Sequence, residues 1–287
     1  GIWLFLKTEI TELIRNSNKS FITPELTPQF TIITGASGGI GKALAIAYAA
    51  KGEHLIFGAR NTKQLEDTAL ICRHQGAEVS VYPLDLASED SIRWFVDSVK
   101  QLSNNIARLL HVSGVSQRSY AEETILAVDR KIMEVNYFGT ISLTKALLPL
   151  LKAHRSARIA ITSSISGKFG FYQRTAYSAS KFALHGFFES LRLEHEEDNI
   201  SVTIICPGSV NTNISKHALD AQGKTFDQVD KRLARGISPE KCAKKMKKAI
   251  EKCKKEVYIG GKEILMVYLH KYLPAVFYRI AKQNKPQ

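Results

Sequence analysis

From Phe30 onward, short apolar runs rich in β-branched residues alternate with longer amphipathic stretches. A continuous apolar run bounded by turn residues suits a strand buried on both faces. Helical periodicity in the gaps suits the crossovers that a parallel sheet requires. The pattern predicts strands near 30–34, 54–59, 78–84, 108–112, 158–162, 201–206 and 256–259, with helices between them. The expected fold class is therefore α/β, a doubly wound parallel sheet of about seven strands in one domain over 30–262. No internal repeat or low-complexity linker divides it.

Two flanks fall outside this rhythm. Over 1–29, Trp3, Leu6, Ile10, Leu13 and Ile14 recur at helical spacing and predict an amphipathic extension, packed on the body or on a partner. Its apolar start is too short for a transmembrane helix, and no basic region precedes it, so no signal peptide is expected. Over 263–287 the chain is apolar and basic. Leu265, Tyr268, Leu269, Tyr272, Leu273 and Phe277 crowd one segment, Pro274 should break it, and Lys262, Arg279, Lys282 and Lys285 flank it. Such a segment does not span a bilayer; it fits an interfacial membrane anchor or a helix packed on another subunit.

The chemistry concentrates in two motifs. Tyr177 and Lys181 stand four residues apart in a helical stretch, so phenol and ammonium share one face. A phenol titrates near pH ~10 in water, and a neighbouring positive charge favours its phenolate, so the pair suits proton transfer. A Tyr and a Lys at this spacing also occur on many solvated helices; the second motif gives them context. Thr34-Gly35-Ala36-Ser37-Gly38-Gly39-Ile40-Gly41 follows an apolar run and precedes an alanine-rich helix, as a dinucleotide-binding turn requires. Glycine lets the backbone approach a pyrophosphate, the helix start offers free N–H groups, and Ser37 adds a hydroxyl.

At the end of the second strand an NAD enzyme would carry an acid for the ribose hydroxyl. Here the strand ends Ala59-Arg60-Asn61, and the nearest acid, Glu53, precedes the strand. Arg60 offers a planar cationic fork for a 2′-phosphate, which points to NADP(H). The alternative for Arg60 is an ordinary surface arginine at a strand end. Ser163 and Ser164 end the fifth strand at the carboxyl edge, where such sheets bind ligands, and their alternation sends one outward and one inward.

Together these residues resemble the short-chain dehydrogenase/reductase family, whose TGxxxGxG pattern matches Gly35, Gly39 and Gly41 and whose YxxxK matches Tyr177 and Lys181. The wording Tyr-Ser-Ala-Ser-Lys-Phe-Ala-Leu looks most like the branch around 11-beta-hydroxysteroid dehydrogenase. The resemblance implies a Rossmann-type fold and a catalytic set of Asn136, Ser164, Tyr177 and Lys181. It also implies cofactor contacts at Gly35, Ser37, Gly38, Gly39, Ile40, Gly41, Arg60, Asp85, Leu86, Ser113 and Gly114, at Tyr177 and Lys181 themselves, and at Pro207, Gly208, Val210 and Thr212. The fourth strand departs from the family, reading His111-Val112-Ser113-Gly114 where most members read Asn-Asn-Ala-Gly. His111 is accordingly read as strand-end structure. The implied activity is NADP(H)-dependent interconversion of a carbonyl and a secondary alcohol. Phe169, Phe171 and Tyr172, between Ser164 and Tyr177, suggest an apolar substrate of steroid, retinoid or fatty-chain type. The family also implies a homodimer or homotetramer, and Phe182, Phe187 and Phe188 are read as its exposed face. The polar stretch after Thr212, as far as Gly236, is expected to be a mobile substrate lid, with an ordinary surface loop as the alternative.

Bulk properties change this picture little. Hydrophobic residues make up 44% of the 287 and charged ones 23%, an ordinary globular composition. The net charge of +13 owes much to lysines between Glu240 and Glu256, expected to be a solvated helix face; no nucleic-acid motif accompanies them. Four cysteines lack metal-ligand spacing, so neither a metal nor a disulfide framework is expected, and a cytoplasmic, possibly membrane-peripheral, location is the default. Two rival functions remain at this point: a 3-oxoacyl-carrier-protein-type reductase that docks its acidic carrier on the lysine-rich helix, and a non-catalytic NADP-binding regulator or scaffold.

Overall fold

The computed structural model describes residues 29–228 and 230–283, so the amino-terminal amphipathic extension and Lys285 lie outside the described residues. Seven parallel strands form one sheet in the order β3-β2-β1-β4-β5-β6-β7. They are β1 (Gln29–Thr34), β2 (Glu53–Ala59), β3 (Glu78–Pro83), β4 (Arg108–His111), β5 (Arg158–Thr162), β6 (Ser201–Pro207) and β7 (Glu256–Ile259). All seven coincide with apolar runs in the sequence. The connections run outward from β1 in one direction and from β4 in the other, so the carboxyl ends of β1 and β4 open a crevice at the reversal.

Helices cover both faces. One layer packs Ile32, Ile56, Leu109, Ile159 and Ile204 against Phe95, Leu143, Leu147 and Phe188; the other packs Ile33, Leu55, Phe57, Leu110 and Ile205 against Leu44, Leu65 and Met246. Successive strand residues feed opposite layers, as a two-sided buried sheet demands. Phe188 is fully buried in the first layer, which corrects its reading as exposed surface; Phe182 is the exposed member of that group.

The helices are α1 (Gly39–Tyr48), α2 (Thr62–His74), α3 (Glu89–Leu102), α4 (Leu126–Met133), α5 (Gly139–Lys152), α6 (Thr175–Glu194), α7 (Lys231–Ala234), α8 (Pro239–Glu251), α9 (Leu265–Tyr272) and α10 (Pro274–Gln283). A π-turn, Glu134–Phe138, joins α4 to α5. The lysine-rich α8 buries Cys242, Ala243, Met246, Ala249 and Ile250 and turns Lys241, Lys244, Lys245 and Lys248 to solvent, a solvated face as expected. Pro274 breaks the carboxyl-terminal apolar segment into α9 and α10. No helix among the described residues is long and apolar enough to cross a membrane. All four cysteines are free.

Candidate active site

One cleft of about 1470 Å³ runs along the carboxyl edge of the sheet. That exceeds the few hundred to ~1,000 Å³ of a single small-molecule site and leaves room for two ligands side by side. At its first end the chain leaves β1 through a turn in which Gly35 (φ +75°) and Gly39 (φ +51°) adopt left-handed backbone that disfavours other residues. A Cβ on Gly41 would collide with the Gly35 carbonyl, so turn and helix pack backbone to backbone. Nothing lies within 4 Å of the position a Gly38 side chain would take, which leaves the α1 N-terminus open to a phosphate. Thr34 Oγ1 accepts from the Val112 and Ser113 amides at 3.1 and 3.3 Å and holds the ends of β1 and β4 together.

Around this cradle the cleft gathers Ser37, Ile40, Arg60, Asp85, Leu86, Ser113, Gly114, Pro207, Gly208, Val210 and Thr212, every cofactor contact that the resemblance implied. Arg60 is exposed at the end of β2. Asn61 next to it caps α2 by accepting from the Gln64 amide at 3.1 Å. Lys63 in the same first helical turn lines the cleft as a second cation that the sequence reading passed over. Asp85 Oδ1 accepts from the Ala87 amide at 3.0 Å, so it shapes its own turn while it borders the cleft. On the far side, Glu263 Oε1 accepts from the Ser209 amide at 2.7 Å and fixes the turn after β6.

The reactive residues converge at the second end. Ser164 stands two residues beyond β5, where its hydroxyl accepts from the Ser166 amide at 3.1 Å and donates to the Pro207 carbonyl at 3.5 Å on the cleft wall that Tyr177 also lines. Ser163 turns the other way, 3.0 Å from His185 Nε2 and donating to the Lys181 carbonyl at 3.2 Å, as strand alternation predicted. Tyr177 is buried in the first turns of α6. Gln117 holds that helix end: its Oε1 accepts from the Ala176 amide at 2.9 Å and the Tyr177 amide at 3.4 Å. The sequence reading missed Gln117, because its role spans 59 residues to Ala176 and leaves no local pattern. Lys181 Nζ donates to the Thr162 carbonyl at 2.8 Å and lies 5.7 Å from the centre of the Tyr177 ring.

Burial raises the Tyr177 phenol above its ordinary range; the Ser164 hydroxyl and the Arg174 charge pull it back. Burial brings the Lys181 ammonium down to about 8. Arg174, at the start of α6, is thus a source of positive field on Tyr177 that the sequence reading had assigned to Lys181 alone. His111 is buried, 2.9 Å from Thr144 Oγ1, and burial lowers it to about 3, which fits its reading as strand-end structure.

Asn136 sits in the π-turn, behind the cleft wall rather than on it. Its amide is largely committed: Nδ2 donates to the Val115 carbonyl at 2.9 Å and to Ser180 Oγ at 3.0 Å, while Oδ1 accepts from the Val115 amide at 2.8 Å. Oδ1 keeps one lone pair. A Cβ built on Gly114 would stand 3.3 Å from that oxygen and 3.4 Å from Lys181 Nζ, so the bare backbone passes close to both groups and an added methyl would press on them.

This arrangement defines a class: a doubly wound sheet with a dinucleotide cradle opening on a buried Ser–Tyr–Lys group. The short chain dehydrogenase family model matches residues 29–223. Dehydrogenase/reductase SDR family member 7B of Mus musculus is 38% identical over 254 residues, covering 87% of this chain and 79% of that protein. An alcohol dehydrogenase from the archaeon Thermococcus sibiricus, complexed with 5-hydroxy-NADP, superposes with a TM-score of 0.71 at 24% identity, covering 82% of this chain and 97% of its own. A short-chain dehydrogenase/reductase from Burkholderia phymatum in complex with NAD gives 0.77 at 20% identity, covering 88% and 96%. The chain belongs to the short-chain dehydrogenase/reductase family, and it is an oxidoreductase of CH–OH groups with a nucleotide-binding Rossmann fold.

Proposed function

We propose that the protein is an NADP(H)-dependent reductase, or dehydrogenase, of an apolar carbonyl/secondary alcohol pair. The observation that carries this reading is the meeting of Ser164, Tyr177 and Lys181 on the wall of a cleft that is continuous with the glycine cradle, with Lys181 Nζ 5.7 Å from the centre of the Tyr177 ring. When bound, the nicotinamide cofactor supplies the hydride. Structural neighbours hold NAD in one case and an NADP derivative in another, so the choice falls to the end of β2. Arg60 and Lys63 there present positive charge, and no acid stands between the strand end and Glu66 in the following helix.

Tyr177 acts as the acid at its phenolic oxygen and hands its proton to the carbonyl oxygen. Ser164 Oγ donates a hydrogen bond to the same oxygen and orients it. The positive charges of Lys181 and Arg174 favour the phenolate that remains, and Lys181 binds the cofactor ribose. A water held by the remaining lone pair of Asn136 Oδ1, next to Lys181, returns a proton towards the tyrosine. Asn136 contributes that one lone pair and otherwise buttresses the Val115 backbone.

Phe169, Phe171 and Tyr172 line the cleft next to Tyr177, which supports a steroid, retinoid or fatty-chain substrate. Kinship with the 11-beta-hydroxysteroid dehydrogenase-like branch has its support in the wording around Tyr177, and the substrate class leans on that resemblance as well as on the aromatic wall. Exposed Phe138 and Phe182 support a homo-oligomer, and exposed Leu265, Tyr268, Tyr272, Leu273 and Tyr278 support a peripheral membrane contact of α9 and α10, a segment we assign to an extension of the domain. The deciding experiment is NADPH consumption with a panel of ketones and aldehydes. Turnover of apolar ketones is expected; tight NADPH binding with no turnover on any of them would move the protein to the cofactor-binding regulators.

A further inference from the structure

The wall of the cleft facing Tyr177 holds a cluster of which the reduction of a neutral ketone uses only the charge of Arg174. Arg118 and Arg174, from different segments, both donate to the same oxygen of Asp230, each at 3.2 Å. Each guanidinium is also fixed from behind. Arg118 donates to Ser116 Oγ at 2.9 Å and to the Gln117 carbonyl at 2.7 Å; Arg174 donates to that carbonyl at 3.1 Å. The second Asp230 oxygen accepts from the Arg232 amide at 2.9 Å. The arginine side chains are only 6% and 15% exposed, and the Asp230 side chain is 20% exposed. All three residues line the cleft together with Tyr177 and Ser164.

Two enclosed cations on one carboxylate leave a surplus positive charge, and an uncompensated buried charge is costly unless something else requires it. Here the surplus faces the space where substrate must lie. Arg174 immediately precedes α6, so the helix N-terminus adds to the same positive field. Two guanidinium forks converging on a carboxylate are the geometry with which proteins hold carboxylate ligands. Asp230 belongs to the segment after β6, which meets the segment after β4 at the Leu219–Gln117 bridge, and its carboxylate is bonded to the two guanidinium groups and the Arg232 amide, none of them in the sheet. Its carboxylate can therefore be exchanged for another without disturbing the sheet.

We propose that Arg118 and Arg174 form a carboxylate-binding subsite, that Asp230 is its internal placeholder, and that the preferred substrate is an oxo acid whose carboxylate docks there while its carbonyl meets Tyr177. This rests on the carbonyl-reductase reading above. An anion at this subsite fixes one end of a flexible apolar chain and limits which carbon reaches the tyrosine, so the pair sets regiochemistry as well as affinity. Arg118 and Arg174 are positioning residues.

The test uses full-length protein loaded with NADPH and a series of straight-chain oxo acids that differ in the spacing between ketone and carboxylate, each paired with its methyl ester. For at least one spacing the acid should show a KM about tenfold or more below its ester, since charge-assisted bonds are the stronger kind. Arg118→Gln should collapse the acid-to-ester ratio towards one. Asp230→Asn, which weakens the placeholder, should enlarge it. Equal KM values for acid and ester at every spacing in the unaltered protein overturn the proposal without recourse to any variant. So do equal losses on acid and ester in both variants with a lowered melting temperature, the signature of a purely structural triad. If neither partner oxidises NADPH, the reductase reading fails; calorimetric binding of the same pairs to NADP+-loaded protein then decides the subsite. Tighter binding of an acid than its ester, lost in Arg118→Gln, supports it, and equal binding overturns it.

Discussion

Buried arginines occupy both ends of the sheet, and the two groups are wired differently. At the amino ends of the strands, Arg108 donates to Glu53 at 3.0 Å and to Glu251 at 3.0 Å, Arg158 lies 3.7 Å from Glu251, and the Tyr48 hydroxyl completes the set with a 3.0 Å bond to Glu251. Two cations face two carboxylates, and the group ties β2, β4 and β5 to α8. At the carboxyl ends, Arg118 and Arg174 share the single carboxylate of Asp230, and Lys181 stands deeper in the cleft with a carbonyl for its partner. Charge is balanced where the fold is being held and left in positive surplus where a ligand must be recognised. Substitution at the first end should therefore register in stability, and at the second in kinetics.

The largest effect belongs to the carboxyl end. Tyr177→Phe removes the proton donor and nearly preserves volume, so kcat should fall by about 10³ or more while NADPH affinity and melting temperature stay close to their starting values. Parallel turnover assays and equilibrium titration of the cofactor check this. Next comes the opposite end: Arg108→Met strands Glu53 and Glu251 without their shared cation and should cost about 3–5 kcal/mol in denaturant unfolding, with kcat/KM little altered in protein that remains folded. Equal damage to rate and stability in either variant would erase the distinction between the two ends.

Smaller effects sharpen the carboxyl end. Arg60→Asp replaces attraction for a 2′-phosphate with repulsion, and NADPH should weaken by about 10- to 100-fold while NADH weakens less or improves. Titrating both cofactors reads this directly, and a starting preference for NADH would remove Arg60 from the account. Gly114→Ala presses a methyl against Asn136 Oδ1 and Lys181 Nζ, and kcat should drop about tenfold, by more than KM changes. The smallest effect concerns pH. Burial brings Lys181 down from its ordinary value to about 8, so the native protein loses this proton before the unfolded chain does. The unfolded state then binds more protons above pH ~8, so the destabilising contribution of this buried ammonium is relieved as pH rises through that window. For the same reason NADPH affinity should fall severalfold as pH passes about 8, a dependence that Lys181→Met should flatten.

The strands were legible because each is an apolar run bounded by turns, and the glycine turn was legible because its chemistry is local. Tyr177 and Lys181 share a helix face and Ser163 and Ser164 alternate at a strand end, so spacing set how each pair is related, while the family resemblance singled out Ser164 as the serine facing the substrate. The π-turn that carries Asn136 was not legible, since one widened turn barely shifts the apolar period around it. Neither was the Arg118–Asp230 pair, whose partners lie 112 residues apart and meet only because strand order brings the segments after β4 and β6 to one edge. Phe188 was misread for a related reason: three aromatics on one helix do not reveal which one faces the sheet, and burial against Leu184 and Leu191 in the core layer decides it.

The most direct test of the central claim follows the atoms. Incubating the protein with an apolar ketone and NADPH deuterated at the nicotinamide C4 should yield a secondary alcohol with deuterium on the carbinol carbon and a solvent proton on its oxygen, and Tyr177→Phe should yield almost none. Alcohol formed without the label, or full labelling by the phenylalanine variant, would contradict the assignment of hydride to the cofactor and proton to Tyr177.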